Sequence, residues 1–328
     1  MMPIRITHVA TAASLLVGIF QAMPAAAQVD ASWQALQSED TRLAAVAERM
    51  QTANVALCRD TMPATGMVFH SRDQYRSPQA DAIFTNGAIA LLTVVEGSPA
   101  ERAGLRPGDG IASIAGRDPS SLTIRDGHHL RGAAFDLLAA LPSDGRLTIQ
   151  AVRDGETIEV SLNVQPSCRS LVEILPGDGP RARSDGRVVQ IRQDFAAGLS
   201  DDQLAVVFAH ELAHTVLLHR ARKEAVGIDN NLLAEVGRNQ QVNRQAEVEA
   251  DRLSVHLLAN AGYDPALASA FWRSEQGREA GGGLMPSFVY PSQSARADLI
   301  DAEIARYLWQ RRGPSWPGHL LALRNRPW

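Results

Sequence analysis

Apolar positions recur at helical spacing in residues 32–57, where Leu36, Leu43, Val46, Ala47 and Met50 predict one amphipathic helix. From about residue 64 the pattern changes to short apolar runs between turn residues. "AIALLTVV" reads as a strand, and Ser98-Pro99 offers an N-cap and a first helical proline for a short helix ending at Gly104. "RPGD" (Arg106–Asp109) is a turn, "IASIAG" a strand and Gly132–Leu141 a helix. Arg146–Val164 predicts a hairpin: Asp154-Gly155 supplies the tight turn, and Ile158, Val160, Leu162 and Val164 share one face. After a Pro-, Gly- and Asp-rich loop (Pro176–Asp185), Gly186–Gln193 is a strand candidate.

Helical periodicity then dominates. "SDDQLAVVFAHELAHTVLLHRARKEA" predicts one long helix. Ser200 and Gln203 form a capping box, and Asp201 and Asp202 suit the positive end of the dipole. A polar connector, Gly227–Asn239, leads to a second long helix that stops at Gly262. Another helix starts at Asp264-Pro265, Gly281–Gly283 is a break, and Ser294–Arg311 is the last helix before a Pro- and Trp-containing tail at 313–328. The chain therefore reads as α+β: a mainly helical domain with a small sheet, plus a β-rich module.

The N-terminus stands apart. Arg5 precedes the apolar Val9–Phe20, and Ala25–Ala27 follows before Gln28. This is the layout of a secretory signal peptide (1–27) cleaved after Ala27, and the run is shorter than the roughly 20 residues that span a bilayer. The mature protein is expected to be exported, periplasmic or otherwise, with no spanning helix, which leaves peripheral membrane contact possible. Charge narrows the partners: a net −4 over 328 residues gives no electrostatic footprint for nucleic acid. The two cysteines, Cys58 and Cys168, are expected to pair in an oxidising compartment, making the chain between them an insertion with adjacent ends.

Candidate chemistry sits in "FAHELAHTVLLH", residues 208–219. His210 and His214 are four residues apart, so both imidazoles project from one helix face about a turn apart. That spacing can place two nitrogens on one Zn²⁺, with Glu211 positioned to move a water proton. A catalytic site needs a third protein ligand. His219 and Glu224 are less suited: five residues past His214, His219 rotates off the face and reads as a solvated or packing residue. "AEVEAD" (Ala246–Asp251) supplies Glu247 and Asp251 on one face, with Glu249 roughly opposite and solvated. One carboxylate can bind the metal and the other can orient a ligand histidine.

Two resemblances follow. "EGSPAERAGLRPGDGIASIAG" resembles the signature of PDZ domains in bacterial exported proteases, implying a PDZ-like domain at 65–165 with a groove for an extended peptide. "HELAH" followed by "EVEAD" resembles the HtpX-like and CAAX prenyl endopeptidase zinc metallopeptidases, the minigluzincins. That likeness implies a zincin domain at 167–312, with residues 28–62 as its N-terminal helix. It also implies one Zn²⁺ held by His210, His214 and Glu247, with Glu211 as general base and Asp251 behind a ligand. The strand Gly186–Gln193 would be the edge to which substrate aligns. Relatives often carry a His-Pro where this chain has Tyr290-Pro291. Tyr290 is thus a candidate oxyanion donor, ahead of Arg252 and Arg296, or else a packing aromatic. The expected function is an exported zinc metalloendopeptidase acting on envelope or misfolded proteins, its PDZ-like module selecting or gating protein and peptide substrates. The alternative is a PDZ-based adaptor or chaperone with a vestigial metal site.

Overall fold

The computed structural model describes residues 25–76, 78–125, 128–228, 237–280, 292–326 and 328. Helix α1 spans Ala25–Ala53, and from Leu36 on it belongs to one compact unit that runs to Trp328. Six strands follow: β1 (Thr61–Ala64), β2 (Met67–Ser71), β3 (Ile89–Val94), β4 (Gly110–Ile114), β5 (Gly145–Arg153) and β6 (Glu156–Cys168). They form one antiparallel sheet in the order β1-β6-β5-β4-β3-β2, with α2 (Pro99–Arg102) and α3 (Leu130–Ala139) between strands. The hairpin is in the predicted register, from Gly145↔Val164 to Arg153↔Glu156. Asp154 and Gly155 both take positive φ (52° and 81°), the backbone that a tight two-residue hairpin turn requires. The side chain of Ser98 accepts the Glu101 N–H, capping α2 as expected. Phe69, Leu91, Ile114, Phe135, Ile149 and Leu162 fill the core of this module.

The strand at this end of the sheet is not bare. β2 ends the sheet, yet all five of its residues are buried. The start of α3 is tied to this end of the sheet, since the Arg131 N–H donates to Ser71 Oγ at 2.9 Å. Helix α1 is tied to neighbouring β3 through Gln37 Nε2 to the Leu92 carbonyl (2.8 Å) and Thr41 Oγ1 to Thr93 Oγ1 (2.9 Å). A void of about 70 Å³ lies among Ala47, Gly66, Phe69, Phe135 and Val172.

A second, three-stranded sheet carries the helical part. β7 (Leu171–Leu175) pairs in parallel with β9 (Val188–Arg192), and β8 (Ala182–Ser184) pairs antiparallel to β9. The strand predicted as an edge is therefore the central one, because β7 covers its other side, and the edges are β7 and β8. The helices are α4 (Gln193–Ala197), α5 (Asp201–Val216), α6 (His219–Ala225), α7 (Gly237–Asn260), α8 (Ala266–Arg273), α9 (Glu275–Ala280), α10 (Gln293–Tyr307) and α11 (Gly318–Leu321). Their core joins Leu43 and Met50 of α1 to Ile191 of β9, Phe208 of α5, Leu257 of α7 and Ile300 of α10. The single long helix expected over 201–225 is two, parted at Leu218, which is left-handed (φ 56°, ψ 35°). For a non-glycine residue this costs about 1–2 kcal/mol. Most of the connector Gly227–Asn239, and the break Gly281–Gly283, lie outside the described residues.

Cys58 and Cys168 form a disulfide with Cα atoms 5.5 Å apart, joining the two ends of the six-stranded module. Closing a loop of this length restricts the unfolded chain strongly. Replacing both cysteines by serine is expected to lower unfolding stability by about 2–5 kcal/mol, read as a lower urea midpoint.

A polar cavity of about 550 Å³ lies between the two sheets, lined by Asp40, His70, Arg131, Glu173 and Gln190 among others. Burial raises the Asp40 carboxyl to about 7, although it accepts the Ile174 N–H at 2.8 Å. Because the folded value exceeds the unfolded one of about 3.9, the folded state binds the extra proton between them. Stability from this group is therefore present at about pH 4 and is lost as pH rises through 7. Asp40→Asn should match the wild type near pH 4 and exceed it at pH 8 by up to a few kcal/mol, measured by urea unfolding at both pH values.

Candidate metal centre

Helix α5 is set by its capping box: Ser200 Oγ accepts the Gln203 N–H at 3.2 Å, and Gln203 Oε1 accepts the Ser200 N–H at 3.0 Å. The helix is buried from Leu204 to Ala213, so His210 and Glu211 lie in the interior. Helix α7 packs against it and brings Glu247 and Asp251 to the same side. His210 Nε2 lies 3.1 Å from Glu247 Oε2 and 3.2 Å from His214 Nε2. His214 Nε2 is 3.6 Å from Glu247 Oε1. Two ligands at about 2.0–2.1 Å from a tetrahedral ion sit about 3.3 Å apart, so this spacing suits one cation.

The protons tell the same story. Arg296 grips Asp251 with two bonds, Nε to Oδ2 and Nη2 to Oδ1, both 2.7 Å. Asp251 is thereby held ionised and can only accept, so His210 donates Nδ1–H to its Oδ1 at 3.0 Å. The Nε2 atom of His210 is left facing His214 and Glu247. Burial alone would lower the His210 pKa, but the bonds to Asp251 and Glu247 overrule it and raise it to about 10. The centre thus calls for positive charge: a proton on His210 in the metal-free form, or a cation in its place. Glu247 is held well below the usual carboxylate range, against its burial, by His214, His210 and Arg296. His210, His214 and Glu247 are residues that could hold a metal, and they fit one.

Glu211 stands beside this cluster. Its carboxylate accepts no hydrogen bond from a described residue, and burial raises its pKa to about 7. Such a group is available to take and return a proton near neutrality.

Of the two readings of His219, packing holds and solvation does not: it is buried, and its Nδ1 lies 2.8 Å from His214 Nδ1. Glu249 is buried too, with its Oε2 3.2 Å from His219 Nε2 and 2.7 Å from Arg222 Nη1. The break at Leu218 starts α6, whose His219 and Arg222 both meet Glu249 of α7. Arg296 and Arg252 are committed elsewhere, to Asp251 and Glu303 respectively, and so are poor oxyanion donors. Glu224 pairs with Arg220 at the surface. Tyr290 lies outside the described residues.

A second cluster, His256, Glu303 and His319, places one carboxylate oxygen between two imidazoles. Burial opposes the ionised form of Glu303, yet bonds from His256, Arg252 and His319 bring its pKa down to about 2. The Arg252 guanidinium already balances this carboxylate, and each facing ring nitrogen has it as an acceptor, so this cluster needs no metal.

Parts of the chain are similar to known proteins. A PDZ domain family model matches residues 92–132, the stretch from β3 to the start of α3. The six-stranded module is PDZ-like. Over 142 residues the chain is 28% identical to the mitochondrial metalloendopeptidase OMA1 of Schizosaccharomyces pombe, covering 36% of this chain and 42% of that one. The chain thus spans less than half the length of that relative. Among solved structures, an HtrA-type protease AlgW with decapeptide overlaps 32% of this chain and 30% of its own, at 19% identity and a TM-score of 0.25. The serine endoprotease from Yersinia pestis overlaps 33% and 30%, at 17% identity and a TM-score of 0.23.

Proposed function

We propose that this protein is an exported zinc-dependent metalloendopeptidase of the minigluzincin type. One observation carries the reading: two imidazole nitrogens 3.2 Å apart meet a distant carboxylate, and the acid next to them in sequence has no hydrogen-bond partner among the described residues. His210, His214 and Glu247 would hold the zinc, and Asp251, anchored by Arg296, keeps His210 in its binding tautomer. When bound, zinc supplies a Lewis acid that polarises a carbonyl and makes water acidic near neutral pH. Glu211 accepts the proton of the attacking water and returns it to the departing amine. Tyr290 is the remaining candidate for steadying the oxyanion.

Edge strand β8 supports a way in for substrate. Among the described residues it is paired on one side only, and Ser184 Oγ lies 3.1 Å from Thr215 Oγ1, next to His214. An extended peptide adding to β8 would pass the centre. The buried β2 favours gating over open peptide capture as the role of the PDZ-like module. Export after Ala27 is supported by the Val9–Phe20 pattern and suits the disulfide. Among the described residues no helix is long and apolar enough to cross a membrane. The complete ligand set and base speak against a vestigial site in an adaptor.

The test is metal analysis with casein cleavage. Purified protein should carry about one zinc per chain and lose cleavage to a chelator, regaining it with added zinc. Cleavage that survives complete metal removal would refute the assignment.

A further inference from the structure

Among the described residues no carboxylate lies at His214 Nδ1 to orient it, whereas His210 has Asp251. What it has is His219, with Nδ1 atoms 2.8 Å apart. Two ring nitrogens at that distance share one proton, and the groups behind decide whose it is. Glu249 Oε2 accepts from Arg222 Nη1 at 2.7 Å, and Glu249 Oε1 accepts from Gln245 Nε2 at 2.9 Å. As an ionised carboxylate Glu249 only accepts, so His219 Nε2 donates to it across 3.2 Å. A neutral His219 then has a lone pair on Nδ1, and the shared proton belongs to His214 Nδ1. The lone pair of His214 is thereby placed on Nε2, the atom facing His210 and Glu247.

The backbone agrees. In an unbroken helix His219 would point away from His214, and the left-handed Leu218 re-aims it. A strained residue between two histidines in contact is the kind of cost that persists where placement matters. Arg222 also lies 3.8 Å over the Trp328 ring, which packs near His219 and closes this side of the chain of bonds.

We propose that His219, backed by Glu249, is a positioning residue that fixes His214 in its metal-binding tautomer. The proposal rests on the zinc reading above. Its chemistry demands an acceptor toward His214 and a donor toward Glu249 at position 219. A glutamine offers both, through Oε1 and Nε2, and a leucine of similar bulk offers neither.

The test is zinc affinity of the full chain, by competition with a chromogenic chelator, together with the visible spectrum of the cobalt-substituted protein. His219→Leu should bind zinc about 10–100-fold more weakly, as loss of an outer partner does, with an altered cobalt spectrum. His219→Gln should stay within about threefold of the wild type and keep its spectrum. A role in packing alone predicts the reverse order, since leucine fills the buried site. Wild-type affinity in His219→Leu, or equal weakening in both variants, overturns the proposal. If His219→Leu does not fold, a loss of more than about tenfold in His219→Gln overturns it alone. A wild-type protein that takes up no zinc sinks the metal reading itself, a result separate from any difference between the variants.

Discussion

Glu211→Gln is expected to leave a folded, zinc-loaded protein whose peptide-bond hydrolysis is lower by about 10²–10⁴-fold. Glutamine keeps the shape of the side chain, and Glu211 is not among the three groups that converge on the centre, so metal content should not change. What disappears is the proton acceptor. In the wild type the acid must be ionised to act, and burial sets its pKa at about 7 before any metal is bound. A nearby dication favours the carboxylate, so the acid limb of the rate profile should fall at or below pH 7. Turnover of a labelled casein, with metal analysis of the same sample, checks both parts. Retained turnover in a zinc-loaded variant would show that another group moves the proton.

Glu247→Ala should cost more than about 100-fold in zinc affinity, beyond the effect of losing an outer partner. Glu247 is the one member of the centre that comes from α7, and it carries the negative charge that draws a dication between two neutral rings. Its removal leaves a turn of α5 offering two nitrogens only. Asp251 and Arg296 stay paired, so the helices should remain packed and near-UV circular dichroism should hardly change. Zinc binding equal to that of the wild type would mean that the third ligand lies elsewhere, and the roles of Glu247 and Asp251 would need to be redrawn.

Much of this was legible in the chain because it is local. The His210–His214 spacing, the capping box at Ser200, the N-cap at Ser98 and the Asp154-Gly155 turn each depend on neighbours within a few residues. Glu247 and Asp251 were likewise readable as a pair one turn apart on a helix. The pairing of Cys58 with Cys168 followed from there being only two cysteines.

The contact of His219 with His214, the burial of Glu249 and the central place of β9 were not legible for one shared reason: each depends on residues outside its own short stretch. Helical periodicity runs through Leu218 without a glycine to mark the break, so spacing alone turns His219 away from His214. Glu249 finds its partners His219 and Arg222 on α6, not on its own helix. β9 is central because β7, about seventeen residues earlier in register, pairs with it. Spacing along a single helix is encoded in the backbone geometry of that helix and needs no partner. Convergence of α5 and α7 is set by burial of their apolar faces in one core, α6 joins them through His219 and Arg222, and no short stretch of residues contains this.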